Sequence, residues 1–257
     1  MRYDPLATIS RLSGSGVIFS EHMSFFDPYL NYFVEEMLKI GGDAVVSTGP
    51  EGKKTGLYIY DPAEMVATIF TSYSEVFNYF LGYRSHDVLF SEVRTEIRNE
   101  PYSIYSIDIG NCEQSGRFSH EVRLADGYDI DAIEKFMTAA NPKMNRRWVR
   151  VATESGDKCF VVELGDEIAG LGWLSLVNGR GRLHSLYVSP QFRRQGIGTD
   201  LLRARLMWLR AKRAKSAFSE ISDLNAPSST IAEGEGMKKA GKIYQYFGKQ
   251  GKEPIIK

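Results

Sequence analysis

Apolar residues recur at Leu30, Phe33, Val34, Met37 and Leu38, the spacing of one helix face. Pro28 suits the first turn of that helix and Gly41-Gly42 its stop. Ala44–Ser47 and Gly56–Tyr60 read as strands flanking the turn at 49–54. Asp61 then reads as the N-cap of a long helix to about Leu81, with Met65, Ile69, Tyr73, Val76, Phe77 and Phe80 on one apolar face. Val88–Phe90 and Ile104–Ile109 read as further strands, and the polar, Gly-containing stretch Ile109–His120 as a linker. Beyond it come a strand at Glu121–Leu124, a helix at Tyr128–Ala140, a short helix at Asn145–Val151, and a hairpin of Cys159–Leu164 with Ile168–Val177. Leu183–Val188 is predicted as a strand that Ser189-Pro190 ends, because proline lacks the N–H a ladder needs. A helix from Gly198 to about Ala214, a strand at Ala217–Ile221, a helix at Ala226–Gly234 and a strand at Met237–Phe247 complete the pattern. The expected fold class is α/β (α+β), with a smaller α/β domain over residues 1–112 and a second domain over 119–257.

Composition narrows the class little: 257 residues, 43% hydrophobic and 25% charged, describe an ordinary globular chain. No apolar run approaches the ~20 residues of a membrane span, so no membrane role is expected. The first residues, Met-Arg-Tyr-Asp-Pro, lack the apolar core of a secretory signal, which makes the cytoplasm the expected location. Cys112 and Cys159 are too few for a disulfide framework and lack partners for a metal, so no metal is expected. Charge is uneven: residues 1–120 hold nine Lys/Arg against sixteen Asp/Glu, leaving the later half basic. Oppositely charged halves suggest two domains that attract each other, and the basic half suits an anionic ligand. The aromatics of the first half, such as Phe25, Phe26, Tyr29, Phe33, Phe70, Phe77 and Phe80, are expected to pack a core.

The stretch Leu183–Leu202 carries the clearest chemistry. A strand, a loop holding Arg193, Gly196 and Gly198, and a helix form the geometry of a phosphate cradle: glycines admit an anion, and helix N-termini offer unpaired N–H groups. It is neither a Rossmann fingerprint nor a Walker A loop, since a third Gly and a Lys-Ser/Thr pair are absent. Val188, Pro190, Arg193, Gly196 and Gly198 closely resemble the acetyl-CoA motif Val-x-Pro-x-x-Arg-x-x-Gly-x-Gly/Ala of the GCN5-related N-acetyltransferases. The resemblance covers about residues 120–248. It implies a mixed, mostly antiparallel sheet flanked by helices, and acetyl-CoA as cosubstrate. A fainter likeness joins Gly56–Leu81 to a strand-loop-helix of the same superfamily, which makes the first domain a candidate degenerate copy, or a shaper of the acceptor site or a dimer interface.

The resemblance also implies roles. Main-chain amides of Arg194, Gln195, Gly196, Ile197, Gly198 and Thr199 bind pyrophosphate, and the strand at Leu186, Tyr187 and Val188 pairs with the pantetheine arm, a main-chain N–H near Val188 being the oxyanion donor. Arg193 and Arg194 either contact phosphates or remain solvated. Asn225 contacts the pantetheine, caps the last helix, or does both, with Ser228 beside it. His184, four residues before Val188, is either a proton acceptor, direct or through water, or a packed histidine. Relatives often carry a Tyr as the acid where this chain has Ala232. Ser228, Ser229 or Tyr244 then takes that role, water suffices, or the domain binds CoA and catalyses little.

The expected activity is transfer of an acetyl group to a primary amine of a small molecule or protein, by a monomer or homodimer. The rival is a non-catalytic acyl-CoA-binding or sensing protein. A weaker rival, RNA binding, rests on Arg203, Arg205, Arg210, Lys212, Arg213 and Lys215. Their interleaving with Leu201, Leu202, Leu206 and Leu209 points instead to an amphipathic helix with a solvated basic face, and so against nucleic acid. Arg146 or Arg147 would favour an acidic acceptor.

Overall fold

The computed structural model describes residues 8–14, 17, 24–26, 29–81, 83, 87–111, 117–142, 144 and 147–247. In chain order the first elements are β1 (Thr8–Arg11), α1 (Leu30–Lys39), β2 (Asp43–Thr48), β3 (Lys54–Asp61), β4 (Val66–Phe70), α2 (Ser74–Leu81), β5 (Val88–Ser91) and β6 (Asn99–Asp108). Then follow β7 (Arg123–Leu124), α3 (Ile130–Ala140), α4 (Trp148–Glu154), β8 (Lys158–Leu164), β9 (Glu167–Val177), β10 (Arg180–Val188), α5 (Ile197–Ala211), β11 (Ser216–Ser222), α6 (Ala226–Gly234) and β12 (Lys238–Phe247). Pro28, Cys112, Asn145 and Arg146, to which the sequence assigns roles, lie outside the described residues.

Two compact units divide the chain: Met1–Tyr102 with Lys242–Lys257, and Ser103–Gly241. In the first, the strand order is β1-β2-β3-β4-β5-β12. Neighbours run antiparallel except β4 and β5, which are parallel. In the second, the order is β7-β8-β9-β10-β11-β6, antiparallel through β10, with β10 and β11 parallel. Each unit is thus a mostly antiparallel mixed sheet with the same plan. Helix follows the first strand, a second helix follows the fourth, and that crossover helix makes the fifth strand parallel to the fourth.

One of the expected elements is not formed. Residues 61–81 are not one helix: β3 runs through Asp61, a turn follows, β4 occupies Val66–Phe70, and only Ser74–Leu81 is helical. Asp61 does cap N–H groups, accepting from Ala63 at 2.8 Å and Glu64 at 3.4 Å, but the turn they belong to does not continue. Met65 adopts a left-handed φ of 53°, which breaks helical winding, and Val66, Thr68, Ile69 and Phe70 favour the strand that follows. The first unit's aromatics pack as a core: Tyr58, Phe77, Phe80 and Tyr246 are fully buried together with Val76 and Leu89. Gly56 permits this, since a Cβ there would lie 2.4 Å from Val76 Cγ1 on α2.

In the second unit α5 lays Ile197, Leu201, Leu202, Leu206 and Leu209 against β8, β9 and β10, at ~1.5–3 kcal/mol for each buried side chain. Gly181 leaves room for Leu209, whose Cδ1 would lie 2.4 Å from an added Cβ. This packing seats the N-terminus of α5 beside the end of β10. No helix among the described residues is long and apolar enough to cross a membrane.

Candidate active site

The site begins where β10 leaves β11. Their parallel register covers Arg180–Arg182 against Ser216–Phe218, whereas the pairing of β10 with β9 continues to Val188 opposite Gly170. The ladder with β9 shifts register between His184 and Tyr187, and Ser185 has φ 50°, so the strand carries a bulge that bends it. Ser189 N–H donates to Ala169 O at 2.9 Å. By the alternation of an antiparallel ladder, Tyr187 N–H then faces β9, while Val188 N–H and C=O face the opening toward β11. Val188 C=O accepts Arg193 Nε at 3.1 Å.

The anion loop closes the end of that cleft. Pro190–Phe192 makes a single 3₁₀ turn, Arg194 has φ 63°, and Gly196 with φ 91° starts α5. Gly196 offers no side-chain cap, so the amides of Ile197, Gly198 and Thr199 stand with the positive end of the helix dipole at the start of α5. The two glycines serve different ends. An added Cβ at Gly196 meets nothing nearer than Ser119 Oγ at 3.7 Å, so the left-handed backbone selects glycine there. At Gly198 the Cβ would lie 3.0 Å from Ile231 Cδ1, so α6 packs directly over it. Arg193, Arg194 and Gln195 are exposed, with Arg193 5.7 Å over the Tyr187 ring and Gln195 Nε2 donating to Gln191 O at 3.4 Å. Asp200, buried in the first turn, accepts from Ser119 N–H, His120 N–H and His120 Nδ1 at 2.9–3.2 Å.

His184 sits on the bulged part of β10 with only 9% of its side chain exposed. Nε2 lies 3.0 Å from Ser175 Oγ and 3.4 Å from Asp157 Oδ2, Nδ1 lies 3.3 Å from Ser185 Oγ, and Trp148 stands edge-on at 5.8 Å. Burial lowers the imidazole pKa below its ordinary value against the opposing pull of Asp157. That shift favours the neutral imidazole.

Asn225 caps α6, its Oδ1 accepting from Ser228 N–H at 3.2 Å, and Ser229 lies in the first turn of the same helix. Ala232 is buried at 2% exposure against the second unit's core. Tyr244 is placed differently: it belongs to the first unit, opposite Ser91 on β5 and packed on that unit's aromatic core.

Sequence reasoning missed three neighbours of this site. Arg205, read as part of a solvated basic face, is 1% exposed. Its Nη1 donates to Trp173 O at 3.0 Å and His184 O at 3.4 Å, the carbonyls of the paired residues just before the bulge, and Nε donates to Leu201 O at 3.0 Å. Burial pulls its pKa down to about 10, so it stays cationic at neutral pH. Gly172 makes the space, since a Cβ there would lie 2.9 Å from Arg205 Cζ. The signal was present: Arg205 falls four residues after Leu201, on the apolar face. Arg203 is not solvated either, pairing with Glu235 at 2.6 Å. Asp157 and Ser175, 18 residues apart in sequence, gave no signal. Among the described residues no cluster of His, Cys, Asp or Glu has the geometry of a metal site.

Residues 124–229 match the model of the Acetyltransferase (GNAT) family. No curated protein matches the chain. Among solved structures, the GCN5-related N-acetyltransferase of Sphaerobacter thermophilus is similar with TM-score 0.59 at 12% identity, over 79% of this chain and 80% of that one. A GNAT-family acetyltransferase from Colwellia psychrerythraea aligns at 0.58 and 11% identity, over 94% of this chain and 100% of its own. A tandem GNAT protein from the clavulanic acid biosynthesis pathway aligns at 0.55 and 12%, over 82% and 84%. At such identities the likeness concerns fold. Motif, splayed strand and family model coincide in the second unit, where residues 124–229 match the GNAT acetyltransferase family.

Proposed function

We propose that the protein is a cytoplasmic acetyl-CoA-dependent N-acetyltransferase acting on a primary amine of a small molecule or protein. The carrying observation is the joint geometry of β10 and α5: a strand amide, Val188 N–H, aimed into an opening that ends at an uncapped helix start. An elongated ligand with an amide-bearing arm and a pyrophosphate fits those donors, and the residues present suit CoA. Bound there, acetyl-CoA supplies a thioester carbonyl open to attack by an amine. Val188 N–H is placed to stabilise oxyanion charge. The amides of Ile197–Thr199 hold the diphosphate, and Arg193, already pinned to Val188 C=O, orders the loop between them. Neutral His184 is the group to accept the amine's proton.

The first unit, with the same order of strands and helices, we read as a degenerate acetyltransferase-like copy. A second reading, an acyl-CoA-binding sensor, is favoured by one observation: Ala232 fills the place of the family's acid with a buried methyl. Calorimetric titration with acetyl-CoA, paired with thiol release over an amine panel, separates the two. Saturable binding with amine-dependent thiol release is expected. Binding without release establishes the sensor, and no binding overturns both.

A further inference from the structure

The side chains around His184 form a directed chain whose hydrogens can be assigned. Ser175 Oγ donates to Asp157 Oδ2 at 3.1 Å. A hydroxyl has one proton, so toward His184 Nε2, at 3.0 Å, Ser175 is an acceptor. The other neighbour of Nε2, Asp157 Oδ2 at 3.4 Å, accepts as well. Nε2 therefore carries the hydrogen of the neutral ring, and Nδ1 carries the lone pair. Nδ1 faces Ser185 Oγ at 3.3 Å. Ser185 is exposed, and its left-handed φ of 50° at the bulge turns its hydroxyl to the ring of the residue before it. Buried at one end and exposed at the other, Asp157, Ser175, His184 and Ser185 line up across β8's start, β9 and β10.

Resting on the acetyltransferase reading, we propose that Ser185 and His184 are the proton relay for the acceptor amine, with Asp157 and Ser175 as positioning residues that fix the His184 tautomer. The substrate ammonium gives one proton to Ser185 Oγ as the Ser185 hydroxyl passes its own to His184 Nδ1. The hydroxyl is regenerated, the amine becomes neutral, and the imidazolium so formed lies against Asp157. Its proton leaves to water by the reverse path. The charged groups facing the ring are Asp157 before β8, Arg182 on β10 and Glu220 on β11, and Arg182 and Glu220 pair with each other at 3.0 Å; Arg205 on α5 reaches the main-chain carbonyl of His184.

The test has two independent readouts on the full chain. Nitrogen-15 imidazole NMR at pH 7.5, with His184 assigned by His184→Gln, should show the Nε2–H tautomer in the parent, conversion toward Nδ1–H in Asp157→Asn, and retention in Ser185→Ala. Steady-state kinetics with an amine that the panel identifies should show kcat lower by on the order of 100-fold in Ser185→Ala and His184→Gln. Asp157→Asn should lose on the order of 10-fold or more, with the acidic limb of its pH profile moved to lower pH and KM for acetyl-CoA unchanged. Ser175→Ala, which keeps Asp157 in place, serves if Asp157→Asn does not fold, and should show mixed tautomers with a smaller kcat loss. A parent ring that is cationic or Nδ1–H overturns the relay, as does full kcat in Ser185→Ala. Absence of turnover with every amine overturns the transfer reading instead, while the tautomer still judges the arrangement.

Discussion

The two units follow one topological plan and end in opposite conditions. In the first, β4 runs beside β5 from Val66 to Ile69, nearly its whole length, and its ladder with β3 has no shift. In the second, β10 keeps β11 only over its first three residues. Past β4 the chain enters α2 through three residues. Thr71 Oγ1 accepts from Tyr73 N–H at 3.0 Å and donates to Thr55 O at 2.7 Å. Past β10 the chain makes a loop with two left-handed residues, and no side chain caps the helix that follows. Beneath α2 lie Phe77, Phe80 and Tyr58; beneath α5 lies a buried cation, Arg205, bound to carbonyls at the bulge. Where the strands stay paired and aromatics fill the gap, the plan is a scaffold. Past the bulge, β10 has left its ladder with β11, and its backbone there has no strand partner on that side among the described residues.

Disrupting the first unit's core should have the largest effect. Phe77→Ala should cost ~3–5 kcal/mol in urea unfolding of that unit, while acetyl-CoA affinity of the folded protein persists. Next comes the anion loop. Gly196→Glu should weaken acetyl-CoA binding by on the order of 100-fold, about 2.7 kcal/mol. The structure adds a control, because φ 91° strains any side chain: Gly196→Ala carries the strain without the charge and should lose much less by calorimetry. Equal losses in both would mean that backbone shape, not the carboxylate, is what binding senses.

Arg205→Met should cost ~1–3 kcal/mol, because the Trp173 and His184 carbonyls lose their donor, and should weaken acetyl-CoA binding along with stability. Thr71→Ala should cost ~1 kcal/mol in the first unit and leave calorimetric affinity unchanged. The smallest effect is a pH slope. The folded pKa of His184 lies below its unfolded value of ~6.5, so protonation favours the unfolded chain. Its contribution is complete above that value and declines as pH falls toward the folded one. Thermal melts over that range should flatten in His184→Gln.

Regular elements of the second unit were legible because their apolar spacing and their punctuation agree: Asn141-Pro142, Gly165-Asp166 and Ser189-Pro190 all mark real boundaries. The failure at 61–81 has a physical cause. Met65, Ile69 and Tyr73 share helical spacing, yet Val66–Phe70 is a five-residue strand paired with β3 and β5, and its alternation of half-buried Val66 and Thr68 with buried Ala67 and Ile69 is too short to stand out against that spacing. The arginine on α5's apolar face shows the converse: the period was right, and residue type overrode it in the reading.

By itself the sequence determined the loop holding Gly196 and Gly198 and the strand and helix that flank it, because a motif bound to backbone conformation is local. Which glycine serves the turn and which the neighbouring helix, that Arg205 is buried, that Tyr244 packs with the first unit, and that Asp157 meets Ser175 and His184 were decided by tertiary structure. Those facts depend on strands brought together from distant parts of the chain, and pairing of that kind leaves no periodicity in the residues that make it.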